Sequence, residues 1–286
     1  MTDFDIFFEN AGSSLEVMGS LPSSYFHRFP GVESFIIATG IRYADENWAW
    51  IKSGSYSREL LIEVIEKFKK KSLQFIWPVF PDSDIQMWLD MDELGLLTRK
   101  IFGAMIFDFA VDLQQFDKTL AGNVAVRDAP QGVPLGECEH VSADLKLSAK
   151  RAFTPEDALL WAVTCWKGFT ESETGKDVPP EFVSFAQNAV LNDKLRLVLG
   201  YIEKKPIGTF MLCKCDGIFI SHFTVLTEWR NLGAGSFLMN ELMNYSSSIK
   251  NRYLVLIATA AGERLYKKFG FRRVADIPIR SFSEDV

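Results

Sequence analysis

The stretch TVLTEWRNLGAGSFLMNEL, Thr224 to Leu242, decides how this chain is read, because it sets Arg230, Gly233 and Gly235 between an apolar run and a helix-patterned one. A strand, then Arg-x-x-Gly-x-Gly, then a helix start brings free backbone N–H groups and the positive helix end to one point, which suits an anion such as a pyrophosphate. Side chains at 233 and 235 would obstruct that approach, and Ser236 adds a hydroxyl donor in the first turn. The loop has neither the Gly-x-x-x-x-Gly-Lys-Ser/Thr of a P-loop nor the glycine spacing of a dinucleotide fold. Two glycines in a strand-to-helix turn also serve plain backbone geometry, so the neighbouring segments have to decide.

Upstream, LRLVLGYIEKKPIGTFMLCKCDGIFISHFTVL holds three strand-like runs broken by EKKP and CDG, the pattern of an antiparallel meander. Before it, a helix capped by Thr154, with Pro155 at its first position and Asp157 three past the cap, is followed by a second helix over about Glu181 to Asn192. After the loop, a helix starting near Gly235 aligns Leu238, Leu242, Tyr245 and Ile249; RYLVLIAT then reads as a continuous apolar strand. AGERLYKKF is a short helix ending at Gly270, and a last strand covers Phe271 to Ile279. A strand-like VAVR opens this half, whose boundary is set near Gly122 by the Asp-, Gln-, Gly- and Pro-rich segment around it.

Meander, Arg-x-x-Gly-x-Gly, amphipathic helix, apolar strand and LYKKFGF form an ordered series that resembles the GNAT family of CoA-dependent N-acetyltransferases, from about Asn123 to Ile279. TVLTEWRNLGAG is similar to the family's motif A, and ATAAGERLYKKFGF to its motif B. The resemblance implies acetyl-CoA as cosubstrate, with Arg230, Leu232, Gly233, Ala234, Gly235 and Ser236 on the pyrophosphate-binding positions. It implies that Phe223 and Val225 lie where the fourth strand splays from the fifth and meets the pantetheine arm, and that Tyr266 is the general acid. Tyr266, one turn from the helix end beside Leu265 and Phe269, also suits packing. The base is unassigned: the fourth-strand position that often carries glutamate in the family is Ser221, and Glu228 and Glu263 have no better claim. Strand alternation puts Phe219, Ser221 and Phe223 on one face and His222 on the other, where packing is expected. Thr259 stands where motif B often has Asn, and is itself a good helix cap.

The first half carries a fainter version of the same ending. DMDELGLLTRKIFGAMI aligns with LYKKFGFRRVADIPI, so that Leu94, Gly95 and Leu96 fall on Phe269, Gly270 and Phe271 and Met91 falls opposite Tyr266. Ser57 to Lys71 reads as a helix capped by Ser57, LQFIWPVF as a strand, and the next segment as a short helix stopped at Gly95 before another strand. No Arg-x-x-Gly-x-Gly occurs between Trp48 and Leu61. A helix closed by Gly before a strand is common, and chance is the other reading. The expected fold class is therefore α+β, in two GNAT-like domains, each a mixed, mostly antiparallel sheet flanked by helices: residues 1–121 a degenerate copy and residues 122–286 the acetyl-CoA-binding domain.

Composition narrows the remaining classes. With 286 residues and 48% hydrophobic content the chain has ample apolar surface for two cores, and no run approaches the roughly 18 uncharged residues of a membrane span. MTDFDIFFEN carries acids where a secretory signal carries lysine or arginine, so a cytoplasmic protein is expected. Four cysteines and three scattered histidines offer neither a disulfide framework nor a metal site, and no metal is expected. A net charge of −6 argues against a nucleic-acid partner; KFKKK, Lys67 to Lys71, follows Glu63 and Glu66 at helical spacing and reads as a solvated helix face. Two functions stand: transfer of acetyl to a primary amine on a small molecule, peptide or protein, and a CoA-binding regulatory module without turnover. A scaffold that only presents surfaces leaves the glycine loop without a purpose.

Overall fold

The computed structural model describes the chain except residues 32–33, 42, 53, 113–137, 143–144, 172–177 and 283–286, with the backbone alone at 138–142 and 145–146. The expected strand VAVR and the boundary at 121/122 lie outside the described residues. Two compact units emerge: one of residues 1–105, 257–263 and 273–286, the other of 106–256 and 264–272. The fold class is α+β.

Unit 1 begins with helix α1 (Asp3–Gly19), which Thr2 and Asp5 close reciprocally as a capping box. Sequence patterning alone left this helix unread. Strands β1 (Tyr25–Arg28), β2 (Ser34–Ala38) and β3 (Asn47–Ile51) follow as an antiparallel meander. Helix α2 (Arg58–Lys70) is capped by Ser57 and buries Leu60, Leu61, Val64, Ile65 and Phe68, the stripe that its 3.6-residue period dictates. Its basic end stays solvated, with Lys67 paired to Glu63 at 3.2 Å. LQFIWPVF yields only a short strand, β4 (Trp77–Pro78), with a parallel bridge from Ile76 to Trp48; Pro78 has no N–H to extend a ladder. Helix α3 (Ile85–Glu93) stops at Gly95, whose φ of 82° only glycine adopts without strain, and β5 (Leu97–Asp108) leaves it.

Unit 2 contains β6 (Cys138–Ser142), β7 (Leu145–Arg151), helices α4 (Pro155–Thr170) and α5 (Pro180–Ala189), and the meander β8 (Leu195–Ile202), β9 (Lys205–Lys214) and β10 (Ile218–Val225). Thr154 and Asp157 form the expected capping box of α4. Then come α6 (Ala234–Ser248), β11 (Tyr253–Ala258), α7 (Ala260–Lys268) and β12 (Arg272–Ser281), of which α7 and the last two strands run across the unit boundaries. The sheet of this unit runs β11-β10-β9-β8-β7-β6, antiparallel except for the parallel pair β10/β11.

The two halves of the sequence share an element order: three antiparallel strands, a helix, a parallel-bonded strand, a short helix, a positive-φ glycine and a strand. Their turns agree in detail. Leu96 N–H donates to Met91 O at 2.8 Å and Phe271 N–H to Tyr266 O at 3.1 Å; Gly95 and Gly270 have φ of 82° and 85°. Within unit 1, β4 pairs antiparallel with β12, through Ile279↔Pro78 and Arg280↔Trp77, so the last strand of the chain completes the sheet of the first unit.

Among the described residues no helix is long and apolar enough to cross a membrane. Nor does any group of three or more His, Cys, Asp or Glu there form a potential metal site.

Candidate active site

The glycine loop of unit 2 is built as an open helix start. Thr227–Trp229 form a single 3-10 turn, Asn231 takes a φ of 61°, and Gly233 takes 89° as the N-cap of α6. No side chain caps that end, and the first turn holds no acid. Among the described residues the N–H groups of Asn231 to Ser236 meet no protein acceptor. The helix start thus keeps its full partial charge of about +0.5 and points it at unfilled hydrogen-bonding positions. Leu232 is 68% exposed at the loop tip. The two glycines have different reasons. A Cβ at Gly233 would meet nothing within 4 Å, so its constraint is φ; one at Gly235 would sit 3.3 Å from Leu265 Cδ2, so its constraint is the approach of α7.

Arg230 lies on the loop, but its guanidinium is turned into the protein. Nε donates to Val225 O at 3.0 Å, Nη2 to Gly168 O at 2.7 Å, and Nη1 pairs with Glu171 at 2.7 Å. It ties the end of β10 to the end of α4, and thereby holds the loop in place.

Beside the loop, β10 loses a neighbour. Its parallel pairing with β11 runs from Ile218↔Leu254 to Ile220↔Leu256, and among the described residues no strand continues it along Ser221–Val225. On the other edge, register with β9 shifts between Ser221 and Thr224, and His222 takes a φ of 51°. This bulge breaks the strict alternation expected of Phe219, Ser221 and Phe223. The His222 ring packs among Trp161, Phe182 and Phe185 at 5.5 to 5.8 Å. Leu226 N–H donates to Ile207 O at 2.9 Å on the β9 side; backbone direction alternates, so Val225, one residue earlier, turns its N–H to the open edge. Gly208 makes the curvature possible: a Cβ there would lie 2.4 Å from Thr224 O.

Tyr266 on α7 is 7% exposed, its ring 5.9 Å from those of Phe223 and Phe271, and its hydroxyl has no hydrogen-bond partner among the described residues. Burial pushes its pKa well above the ordinary 10, so the phenol keeps its proton throughout the physiological range. Thr259 caps α7, accepting from Gly262 N–H at 3.2 Å, and Glu263 is paired with Arg273. Phe223, Val225, the loop from Arg230 to Ser236, and Tyr266 all belong to unit 2.

Residues 193–273 match the family model described as Acetyltransferase (GNAT) domain. These residues are a GNAT domain. The match covers the meander, the glycine loop, α6, β11 and the helix of Tyr266. Over the whole chain the fold is similar to that of a GCN5-related N-acetyltransferase from Kribbella flavida, at 10% identity and a TM-score of 0.57, covering 96% of this chain and 95% of that one. A second likeness is to a tandem GNAT protein from the clavulanic acid biosynthesis pathway, at 15% identity and a TM-score of 0.56, covering 96% and 86%. A third is to a GCN5-related N-acetyltransferase from Sphaerobacter thermophilus, at 12% identity and a TM-score of 0.55, covering 88% and 78%. No curated protein matches the chain in sequence. At such identities the likenesses concern the fold alone.

Sequence reasoning missed Gly168 and Gly208, which let α4 and β9 close on Thr224, because a lone glycine carries no sign of what approaches it. It also missed Glu241, 3% exposed on α6, whose burial no periodicity distinguishes from that of a solvated acid.

Proposed function

We propose that the GNAT domain binds acetyl-CoA and transfers its acetyl group to a primary amine by direct attack. The supporting observation is the uncapped start of α6 at Gly233 beside the unpartnered edge of β10. In this reading the N–H groups from Leu232 to Ser236 hold the pyrophosphate, with Ala234 and Gly235 allowing close approach. Phe223 and Val225 line the pantetheine arm, and the Val225 N–H donates to the thioester oxygen a hydrogen bond that strengthens when charge develops. Arg230 positions the loop through β10 and α4 rather than reaching the phosphates.

Magnitudes set what each group must supply. An alkyl ammonium with a pKa of about 10.4 is neutral in roughly 1 molecule of 2,000 at pH 7, a deficit of ~4.5 kcal/mol that deprotonation or desolvation must make good. Positioning can contribute roughly 7 to 11 kcal/mol. The leaving thiol has a pKa of about 8.5 in water, so full proton transfer from a buried phenol is not downhill there; a thiolate formed beside Tyr266 meets the same desolvation, which brings the two closer. Tyr266 thus acts as a matched donor to the departing sulfur.

The chain as a whole reads as a tandem arrangement, residues 1–121 a degenerate GNAT-like domain and 122–286 the acetyl-CoA-binding one, supported by the shared element order and the paired Gly95 and Gly270 turns. A second reading, CoA binding without turnover, is favoured by one feature: β10 has no carboxylate, and Ser221 stands in its place. Thiol release from acetyl-CoA against a broad panel of primary amines separates the two. Release above the hydrolysis background with any amine supports transfer; tight acetyl-CoA binding with none supports the regulatory module.

A further inference from the structure

Unit 2 holds a second concentration of positive charge, away from the glycine loop. Arg151 ends β7 and sits opposite Val198, while Arg196 lies two residues before Val198 on β8; the two side chains therefore leave the same sheet face as diagonal neighbours. That face is the one α6 covers, since a Cβ at Gly200, four residues on from Arg196, would lie 2.6 Å from Leu238 Cδ2. Arg196 Nε donates to the Tyr245 hydroxyl and its guanidinium lies 5.7 Å from that ring, while Arg151 lies over Phe153 at 4.8 Å.

Among the described residues no carboxylate balances the pair. Arg230, Arg252, Arg272 and Arg280 each engage an acid at 3.2 Å or less, whereas among the described residues neither Arg151 nor Arg196 does. Among the described residues Arg151 Nε, which is buried, has no acceptor. Burial, and then the neighbouring Arg196 charge, hold the Arg151 pKa below its usual range. Leaving a guanidinium donor buried and unsatisfied next to a like charge is unfavourable, and an oxyanion relieves both costs at once.

We propose that Arg151, Arg196 and Tyr245 form a binding site for a small oxyanion, a phosphate or carboxylate group, separate from the site for CoA. Arg151 offers Nε and a terminal N–H as a fork, Arg196 offers its two terminal nitrogens, and the Tyr245 hydroxyl, accepting from Arg196, has its own proton to give. Separation follows from the architecture. Tyr245 lies twelve residues beyond Gly233 on α6, about 18 Å along a helix rising 1.5 Å per residue. Strands β8 and β7 are the second and third from β10 in the sheet, about 10 and 14 Å away at 4.8 Å per strand.

The test is thermal unfolding of the full chain in inorganic phosphate or acetate against chloride at equal ionic strength, for the parent, Arg151→Gln and Arg196→Gln. The parent is expected to gain stability with phosphate or acetate in a saturable way, and either variant to need at least about tenfold more anion for the same gain. Without added anion Arg151→Gln should be no less stable than the parent, since a like-charge contact is removed. Saturating acetyl-CoA should leave the phosphate response in place. A phosphate-only response identifies a phosphoryl ligand, and an acetate response a carboxylate. Indifference to both anions, equal responses in parent and variants, or a response abolished by acetyl-CoA would each overturn the site. Should a glutamine variant fail to fold, Arg151→Lys retains charge without the fork; an undiminished anion response in that variant counts equally against the proposal.

Discussion

The ring of Tyr266 stands edge-on to that of Phe223, centroids 5.9 Å apart and planes at 75°, which brings the phenol of α7 over the strand whose edge is open. Tyr266→Phe keeps that packing and deletes only the hydroxyl. Acetyl-CoA affinity should be unchanged and turnover should fall by roughly ten- to a thousandfold, the lower part of general-acid effects because a thiolate leaves readily. Calorimetry and steady-state thiol release measure the two. Equal turnover in the variant would make Tyr266 a packing residue.

Gly233 and Gly235 should fail differently when enlarged. Valine at either position is expected to weaken acetyl-CoA binding at least about tenfold, ~1.4 kcal/mol. At 233 the damage comes through a φ of 89°, which a β-branched residue resists, so thermal stability should drop even without ligand. At 235 it comes through contact with Leu265, which can shift, so the apo protein should be less affected than its affinity. Unaltered calorimetric affinity in both variants sinks the loop assignment.

One CoA should bind per chain. The helix of the first half that corresponds to α6 is α2, and its start is already closed: Ser57 Oγ accepts from Leu60 N–H at 3.1 Å. Arg58 beside it is taken up by Asp90 at 2.7 Å and Glu93 at 2.9 Å, so acids occupy the neighbourhood that a pyrophosphate would need. Titration of the whole chain should give a stoichiometry near one, and none once Gly233 and Gly235 are both replaced. A second site, or one that survives that double replacement, contradicts the degenerate reading of residues 1–121.

Glu241 makes stability depend on pH in a stated direction. Burial pushes its carboxyl up to about 7 from the ordinary 4.5. Between those values the folded chain holds a proton that the unfolded chain has released, so stability declines as pH rises through that window and stays lower above it, by about 3 kcal/mol. Glu241→Gln should remove this slope, leaving a variant more stable than the parent at pH 8 and comparable to it at pH 4. Denaturant unfolding at the two pH values decides; parallel pH profiles for parent and variant would show that Glu241 does not titrate in this range.

The sequence by itself determined the parts that rest on local rules. Thr154, Pro155 and Asp157 specify a helix start, EKKP and CDG separate three strands, and Gly233 and Gly270 mark turns, because caps, turns and periodicity act over a few residues. The candidate site of the second half could be named for the same reason: the loop and the motif around Tyr266 are contiguous stretches. Only the tertiary structure decided the rest. The bulge at His222 appears when β10 is set in register against β9, and it undoes an alternation that the strand alone implies. Arg230 reads as a phosphate ligand in sequence, yet Gly168 and Glu171, some sixty residues earlier, claim its guanidinium. β12 joins β4, and Arg151 comes beside Arg196 with no acid paired to either among the described residues, through pairings between segments far apart in the chain. Such pairings depend on which surfaces the packed sheet and helices bring together, and no short window of sequence contains that information.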